Sequence, residues 1–397
     1  MNLRTVVFAF LCALVAVPAF AQPKAFVSVS SPAAGGRAIR IVDLQTMTVE
    51  GSINAVGDEP GRMVANGDRS RIYVSSWQSF GEGRVYAIDP ATRSVIGSIA
   101  AGNAQNRAIA ISPDGLRVYT FKREGASPDQ TIGILVIDAL TMAEIATVPI
   151  TGPGCTTNFR DLVVVPDGRI VAGICNDGLR IIDPVTFSVA VRGDASSANA
   201  RLLGFSPDGS EVYIGAGSNA ISVFGITGLR AFNVDTGVVN DLTWNVPSAP
   251  SYPGFSSSAA PVRLAVVPVA GGAPGDAIYL FSYFSPGAAN EPIAWARAST
   301  LGGGVRQLTR LAAVGSTAIV GVAENGLVGL SARLGSARRI AIDPLVNDAS
   351  LITAQGGFLS LPGVGTLTDV VITSPLFLDG FESEEVAVAL RTTTAPQ

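Results

Sequence analysis

The sequence predicts an all-β chain folded as a β-propeller of four-stranded antiparallel blades. Three observations carry that expectation. A short motif recurs along the chain with steps of 46, 49, 45 and 52 residues, each period holds several short β-branched runs, and only 15% of the residues are charged while Gly numbers 44 and Pro 24. Four short strands in a period of about 45 residues is the arithmetic of a propeller blade, whereas helical repeats need a 3.6-residue apolar spacing that these runs lack.

The motif first appears as Ile41-Val42-Asp43-Leu44-Gln45-Thr46 and returns as Ala87-Ile88-Asp89-Pro90-Ala91-Thr92. It recurs as Val136-Ile137-Asp138-Ala139-Leu140-Thr141 and Ile181-Ile182-Asp183-Pro184-Val185-Thr186, with a weaker copy in Asn233-Val234-Asp235-Thr236-Gly237 that aligns Asp235 with the earlier aspartates. Here an Asp side chain accepts backbone N–H groups of a turn, and a following Pro presets φ near −65°. A second marker interleaves with the first: Ser112-Pro113-Asp114-Gly115, Pro166-Asp167-Gly168 and Ser206-Pro207-Asp208-Gly209, with Asn66-Gly67-Asp68 as a degenerate copy. It suits a tight hairpin reversal, in which Gly takes positive φ. Between the markers, runs such as Val118-Tyr119-Thr120-Phe121 and Ile134-Leu135-Val136-Ile137 read as strands.

Blades are expected near 62–99, 107–148, 160–191, 201–245, 262–309 and 310–361. Thr368-Asp369-Val370-Val371-Ile372 resembles the innermost strand Arg160-Asp161-Leu162-Val163-Val164, and the chain begins one strand later, with Ala25 to Ser30 and Ala38 to Asp43. Pairing of the N- and C-terminal strands would then complete the first blade and remove its open edges. Seven blades are favoured, and eight stay open because 310–361 holds more strand-like runs than one blade needs.

A strand ending in Asp-Pro-x-Thr, then Val95-Ile96-Gly97-Ser98-Ile99, then an Arg-led strand into Ser-Pro-Asp-Gly and Val-Tyr resembles the YVTN-type propeller repeat of exported bacterial proteins. The resemblance is clear from about residue 39 to 235 and implies a seven-bladed ring. The wider group of related propellers includes lactonases, so lactonase-like hydrolysis is the alternative function it implies.

Flanking segments divide the chain into 1–21, 22–375 and 376–397. Arg4, the apolar run Val6 to Val17 and Ala19-Phe20-Ala21 read as a signal peptide cleaved after Ala21, against the alternative of a membrane anchor. That run is shorter than the ~18 residues needed to span a bilayer. The expected location is therefore the periplasm or the medium, with no membrane span. Residues 22–375 would form the propeller, with 245–261 as a long loop, and 376–397 a C-terminal tail carrying Asp379-Gly380-Phe381-Glu382. Once Cys12 leaves with the signal, Cys155 and Cys175 remain; in an oxidising compartment they are expected to form a disulfide, with two buried free thiols as the alternative.

Composition also excludes chemistry. With no His among 397 residues, neither a Ser-His-Asp triad nor an HExxH zinc site can exist. No phosphate loop, EF-hand or nucleophile elbow is present, so neither a metal nor a cofactor is expected. The formal net charge of −4 leaves no basic footprint for nucleic acid.

One pattern points to binding. Arg62, Arg107, Arg160, Arg201, Arg263 and Arg310 each head an expected innermost strand, which would gather guanidiniums at the mouth of the central channel. Such a cluster suits carboxylate or phosphate groups, which Arg grips in bidentate fashion. The alternatives are structural pairing of each Arg with a loop carbonyl or with Asp161 and its equivalents, or protein docking. The expected function is thus a monomeric, exported, non-enzymatic scaffold whose partner is an anionic small molecule or an envelope or extracellular protein. A general base at Glu82, Glu124 or Glu291, sugar stacking on Trp77 or Trp244, and a place beside a periplasmic quinoprotein-type oxidoreductase are further readings.

Overall fold

The computed structural model describes residues 23–30, 37–54, 56–57, 59–77, 83–102, 108–125, 131–152, 155, 161–175, 177–193, 201–206, 208–215, 229–241 and 243–244, and, between 260 and 373, the strands named below with residue 361. The expected signal peptide, most of the 245–261 loop and the tail from 376 lie outside the described residues.

Among the described residues the strands form seven sheets, each dominated by an antiparallel up-and-down run of four. The first combines β1 (Lys24–Ser30), β2 (Ala38–Asp43) and β3 (Thr48–Ile53) with β29 (Thr366–Thr373), the last strand of the chain. The second holds β4 (Glu59–Ala65), β5 (Ile72–Trp77), β6 (Arg84–Asp89) and β7 (Ser94–Ala100). The third holds β8 (Ile109–Ile111), β9 (Arg117–Glu124), β10 (Thr131–Asp138) and β11 (Glu144–Ile150). The fourth holds β12 (Asp161–Val164), β13 (Ile170–Cys175), β14 (Gly178–Ile182) and β15 (Val189–Arg192). The fifth holds β16 (Arg201–Phe205), β17 (Glu211–Gly215), β18 (Leu229–Asn233) and β19 (Val239–Asp241).

The sixth sheet departs from the pattern. It runs through β21 (Ala260–Pro268), β22 (Ala277–Phe284), β23 (Ile293–Arg297) and β24 (Gln307–Arg310), and gains a fifth strand when β20 (Thr243–Trp244) adds in parallel to β24. The seventh holds β25 (Ile319–Val322), β26 (Val328–Arg333), β27 (Ser336–Ile342) and β28 (Ile352–Ser360). Segment 310–361 therefore contributes these four strands to one sheet.

The terminal pairing follows the register Ala25–Ile372, Phe26–Val371 and Val27–Val370. First strands of successive sheets touch, from β29 to β4, β8, β12, β16, β21 and β25, and β25 touches β29. Apolar clusters sit between consecutive sheets because the buried strands are apolar on both faces. On β13, Ile170, Ala172 and Ile174 join Ile134 and Val136 of the third sheet, while Val171 joins Leu202 and Val212 of the fifth. The period of two thus puts one core on each face of a single strand. Each such Val or Ile contributes roughly 1.5–3 kcal/mol by leaving water.

The repeated turns form as their residues dictate. Asp43 Oδ1 accepts the amides of Gln45 and Thr46 at 2.8 and 2.7 Å, and Asp89, Asp138 and Asp183 hold the equivalent pairs. The residue four beyond each Asp is left-handed: Met47, Arg93, Met142 and Phe187 have φ between 52° and 57°. The fifth copy corrects the expected alignment. Asn233, not Asp235, accepts the turn amides, of Asp235 at 3.1 Å and Thr236 at 2.8 Å, and Gly237 takes the left-handed place with φ 76°. An amide oxygen accepts as well as a carboxylate one, so the step from Asp183 is 50 residues rather than 52.

Candidate functional site

Among the described residues four of the seven first strands carry a local irregularity, and in β4, β16 and β21 it lies at or beside a candidate arginine. On β4, Pro60 faces Ser76 and Met63 faces Val74, so Gly61 and Arg62 together oppose Ser75. Two residues against one is a β-bulge, which bends the strand and re-aims a side chain. Comparable shifts interrupt β29 opposite Ser28, β16 at Leu203 and β21 between Pro261 and Arg263. Buried hydroxyls fasten the bulged backbone: Ser28 Oγ donates to the Pro60 and Gly61 carbonyls at 3.1 Å each, and Ser75 Oγ to the Arg62 carbonyl at 3.3 Å. On β9, Thr120 Oγ1 donates to the Ala108 carbonyl at 2.7 Å, just ahead of β8, which pairs without a bulge.

Arg62, aimed in this way, reaches past its neighbouring sheet. Its Nη1 donates to Asp161 Oδ1 on β12, two sheets on, and to the Leu202 carbonyl on β16, three sheets on, at 3.3 Å. The adjacent amide of Met63 donates to Asp369 Oδ2 on β29 at 2.8 Å. Residues 62 and 63 are therefore bracketed by two carboxylates from equivalent positions, Asp161 and Asp369, both buried. The Arg62 side chain remains 16% exposed, and both its bonds among the described residues run through one of the nitrogens of a five-donor group. An approaching carboxylate or phosphate would meet a cation already held at the first strands of three sheets.

The other candidates fall differently. Arg201 opens β16 opposite Gly215 and Arg263 lies in β21 opposite Ser282, with side chains outside the described part, while Arg107 and Arg160 lie outside the described residues altogether. Arg310 does not head a first strand. It ends β24 opposite Ala294, because the first strand of the seventh sheet begins at Ile319. Glu124 pairs with Lys122 at 2.7 Å, Glu82 and Glu291 lie outside the described residues, and the side chains of Trp77 and Trp244 do as well.

A second arginine set, which the sequence did not single out, ties the second, third and fourth sheets each to the sheet that follows it. Arg71 Nη1 donates to the Ala139 and Leu140 carbonyls at 3.0 and 2.8 Å, Arg117 Nη1 to the Pro184 carbonyl at 2.7 Å, and Arg169 Nη1 to Asp235 Oδ1 at 2.6 Å. Each leads a second strand and grips the repeated turn of the following sheet, Asp-x-x-Thr for Arg71 and Arg117 and Asn233-x-x-Thr236, through Asp235, for Arg169. Its signal was an Arg just beyond three of the four turn markers, Asn66-Gly67-Asp68, Ser112-Pro113-Asp114-Gly115 and Pro166-Asp167-Gly168, but not beyond Ser206-Pro207-Asp208-Gly209. Tyr73 adds a donor to the Ala139 carbonyl at 2.8 Å, and burial pushes its phenol up despite the opposing Arg71 cation.

Cys155 and Cys175 are joined in the expected disulfide, which closes a separation of 20 residues in the fourth sheet. Among the described residues no three metal-capable side chains cluster, and no helix is long and apolar enough to cross a membrane.

No protein-family model and no curated protein sequence matches this chain. Solved structures do. The periplasmic gluconolactonase of Pseudomonas aeruginosa superposes with a TM-score of 0.59 at 14% identity, covering 89% of this chain and 99% of that one. A candidate 6-phosphogluconolactonase from Bacteroides fragilis gives 0.60 at 13%, covering 89% and 98%. The Swd1 β-propeller domain from Myceliophteria thermophila gives 0.51 at 11%, covering 77% and 87%. At such identities the likeness speaks for architecture and not for activity. The chain is an all-β protein with a β-propeller fold.

Proposed function

We propose that this chain is an exported, seven-bladed propeller of the YVTN type that binds an anionic ligand at the mouth of its channel. The seven sheets and the pairing of β29 with β1 support the blade count and a closed ring. The disulfide and the N-terminal apolar run support export. The observation that carries the binding site is the guanidinium of Arg62, spanning to the first strands of the fourth and fifth sheets while remaining partly exposed. Arg201 and Arg263, in the first strands of the fifth and sixth sheets, would add positive charge around it.

Isothermal titration with gluconate and with inorganic phosphate tests this. Binding that disappears in Arg62→Gln, and in the Arg107→Ala/Arg201→Ala pair, with thermal unfolding still cooperative, is the expected result. Equal heats in wild type and variants would remove the site.

The second reading is a lactonase-like hydrolase, favoured by the two carboxylates that bracket residues 62–63. A carboxylate can activate water without His, and Arg62 would then stabilise the oxyanion. Turnover of glucono-δ-lactone that is lost in Asp161→Asn would establish it; binding of gluconate without turnover leaves the scaffold.

A further inference from the structure

Arg180, in the middle of β14, is the largest side chain fully buried in the described fold, at 1% exposure. A guanidinium there needs partners, and its partners are unusual. Nη2 donates to the Thr151 carbonyl at 3.0 Å and to Cys155 Sγ at 3.6 Å, and lies 2.8 Å from Asp177 Oδ1. Among the described residues Nε and Nη1 have no hydrogen-bond partner. The approach is so close that a Cβ on Gly152 would sit 2.1 Å from Nη2, and Gly152 has φ +143°, so only glycine fits. The sequence thus keeps a desolvated cation against the sulfur of a partly exposed cysteine, while the bonded Cys175 is wholly buried.

From this arrangement we infer that the Cys155–Cys175 bond is a thiol-exchange site, and that in the reduced protein Cys155 is a reactive thiolate held by Arg180. A cation at hydrogen-bond distance lowers a thiol's pKa from about 8.5 towards 3.5–7.5, whereas an apolar setting raises it. Cys175 is buried inside an apolar cluster with Ile174, Leu162 and Val164, whereas Cys155 packs against the edge of the same cluster, partly exposed and with the Arg180 guanidinium at its sulfur. Arg180 of β14 faces Cys155, and Asp177 of the β13–β14 turn, paired with Arg180 at 2.8 Å, partly offsets the cation.

The exchange partner is a low-molecular-weight thiol or a dithiol protein. Its thiolate attacks Cys155 Sγ, the sulfur within reach; the new S–S bond forms there, and the electron pair of the old bond passes to Cys175, which takes up a proton. A second thiol attacks the incoming sulfur of the mixed disulfide and releases Cys155 as the thiolate. Two thiols are oxidised to one disulfide and the protein disulfide is reduced, with one proton left in solution.

The test uses the full chain, reduced with dithiothreitol and desalted under argon. Thiolate absorbance and iodoacetamide alkylation, with each cysteine followed by peptide mass, are measured against pH. Cys155 is expected to alkylate at least about 10-fold faster than Cys175 at pH 7, with a midpoint below about 7.5. Asp177→Asn, which removes the countercharge and leaves Arg180 in place, is expected to lower that midpoint further. Arg180→Gln should raise it. A Cys155 midpoint at the ordinary value near 8.5, unmoved by Asp177→Asn, overturns the inference, and so does a reduced protein that loses its near-ultraviolet dichroism.

Discussion

Arg62 and Asp161 lie 99 residues apart in sequence, on sheets separated by a third, and are joined by a direct guanidinium–carboxylate contact. Both side chains are largely withdrawn from water, at 16% and 7% exposure, so removing either one strands a buried charge and costs more than breaking a surface ion pair. It couples the second sheet to the fourth, which share no strand.

A double-mutant cycle follows. Arg62→Gln and Asp161→Asn are each expected to destabilise, and the pair of changes together by less than their sum, with a coupling of about 1–3 kcal/mol. Urea unfolding of the four proteins measures it. Strict additivity would mean the contact contributes nothing, and the proposed anion site would lose its fixed anchor.

The tethers between sheets predict an ordering. Arg117 donates to a carbonyl at Pro184, a half-buried bond from a charged donor, whereas Arg169 reaches Asp235, whose side chain is 63% exposed. Arg117→Met keeps the aliphatic stem and should cost about 1.5–3 kcal/mol. Arg169→Met should cost under about 1 kcal/mol, since the pair is solvated. Thermal and urea unfolding would both have to show the reverse order for the distinction to fail.

These two arginine sets show what could be read in the chain and what could not. The β architecture was legible because the Asp-x-x-Thr and Pro-Asp-Gly turns are local: each forms within about six residues, so sequence and structure carry the same information. Arg62 was legible as a position, since its place ahead of Met63-Val64 follows from the repeat. Its partner was not, because which carboxylate meets it depends on a bulge at Gly61-Arg62 and on the spatial order of sheets. Arg310 misled for the related reason that the repeat fades there, and one strand of drift moves a residue from the inner edge of a sheet to the outer. Arg180 escaped notice because an isolated Arg in a strand reads as solvent-facing until Thr151, Gly152 and Cys155 are seen against it.

The fifth turn separates two residue roles that sequence spacing had merged. Asn233→Ala removes an acceptor of two turn amides and a threonine hydroxyl, and should cost about 1 kcal/mol; Asn233→Asp keeps the acceptor and should be close to neutral. Gly237→Ala faces two penalties at once. The left-handed backbone costs a Cβ roughly 1–2 kcal/mol, and that Cβ would lie 2.8 Å from the Gly193 amide nitrogen on the preceding sheet. It is therefore expected to be the more damaging change, and equal unfolding midpoints for Gly237→Ala and Asn233→Ala would contradict the close approach between the sheets.

Acid stability should report on the seam beside the N-terminal strand. Lys24 donates to Asp43 Oδ2 at 2.6 Å and also pairs with Glu50, which Arg93 of the second sheet holds at 2.7 Å. Burial by itself would raise the Asp43 carboxyl, but the Lys24 ammonium and the Thr46 amide and hydroxyl outweigh it and bring the pKa down to about 2, from 3.8. A carboxyl depressed in the folded state binds its proton more readily when unfolded, so its contribution is complete above pH 4 and fades as the pH falls through 2. The most it can supply is about 2 kcal/mol. Asp43→Asn should accordingly flatten the loss of stability between pH 4 and pH 2 while lowering stability at pH 7, and Lys24→Met should do the same in smaller measure, because the Thr46 bonds remain. Urea midpoints taken across that window decide the matter: a wild-type slope retained in Asp43→Asn would assign the acid sensitivity to another carboxylate.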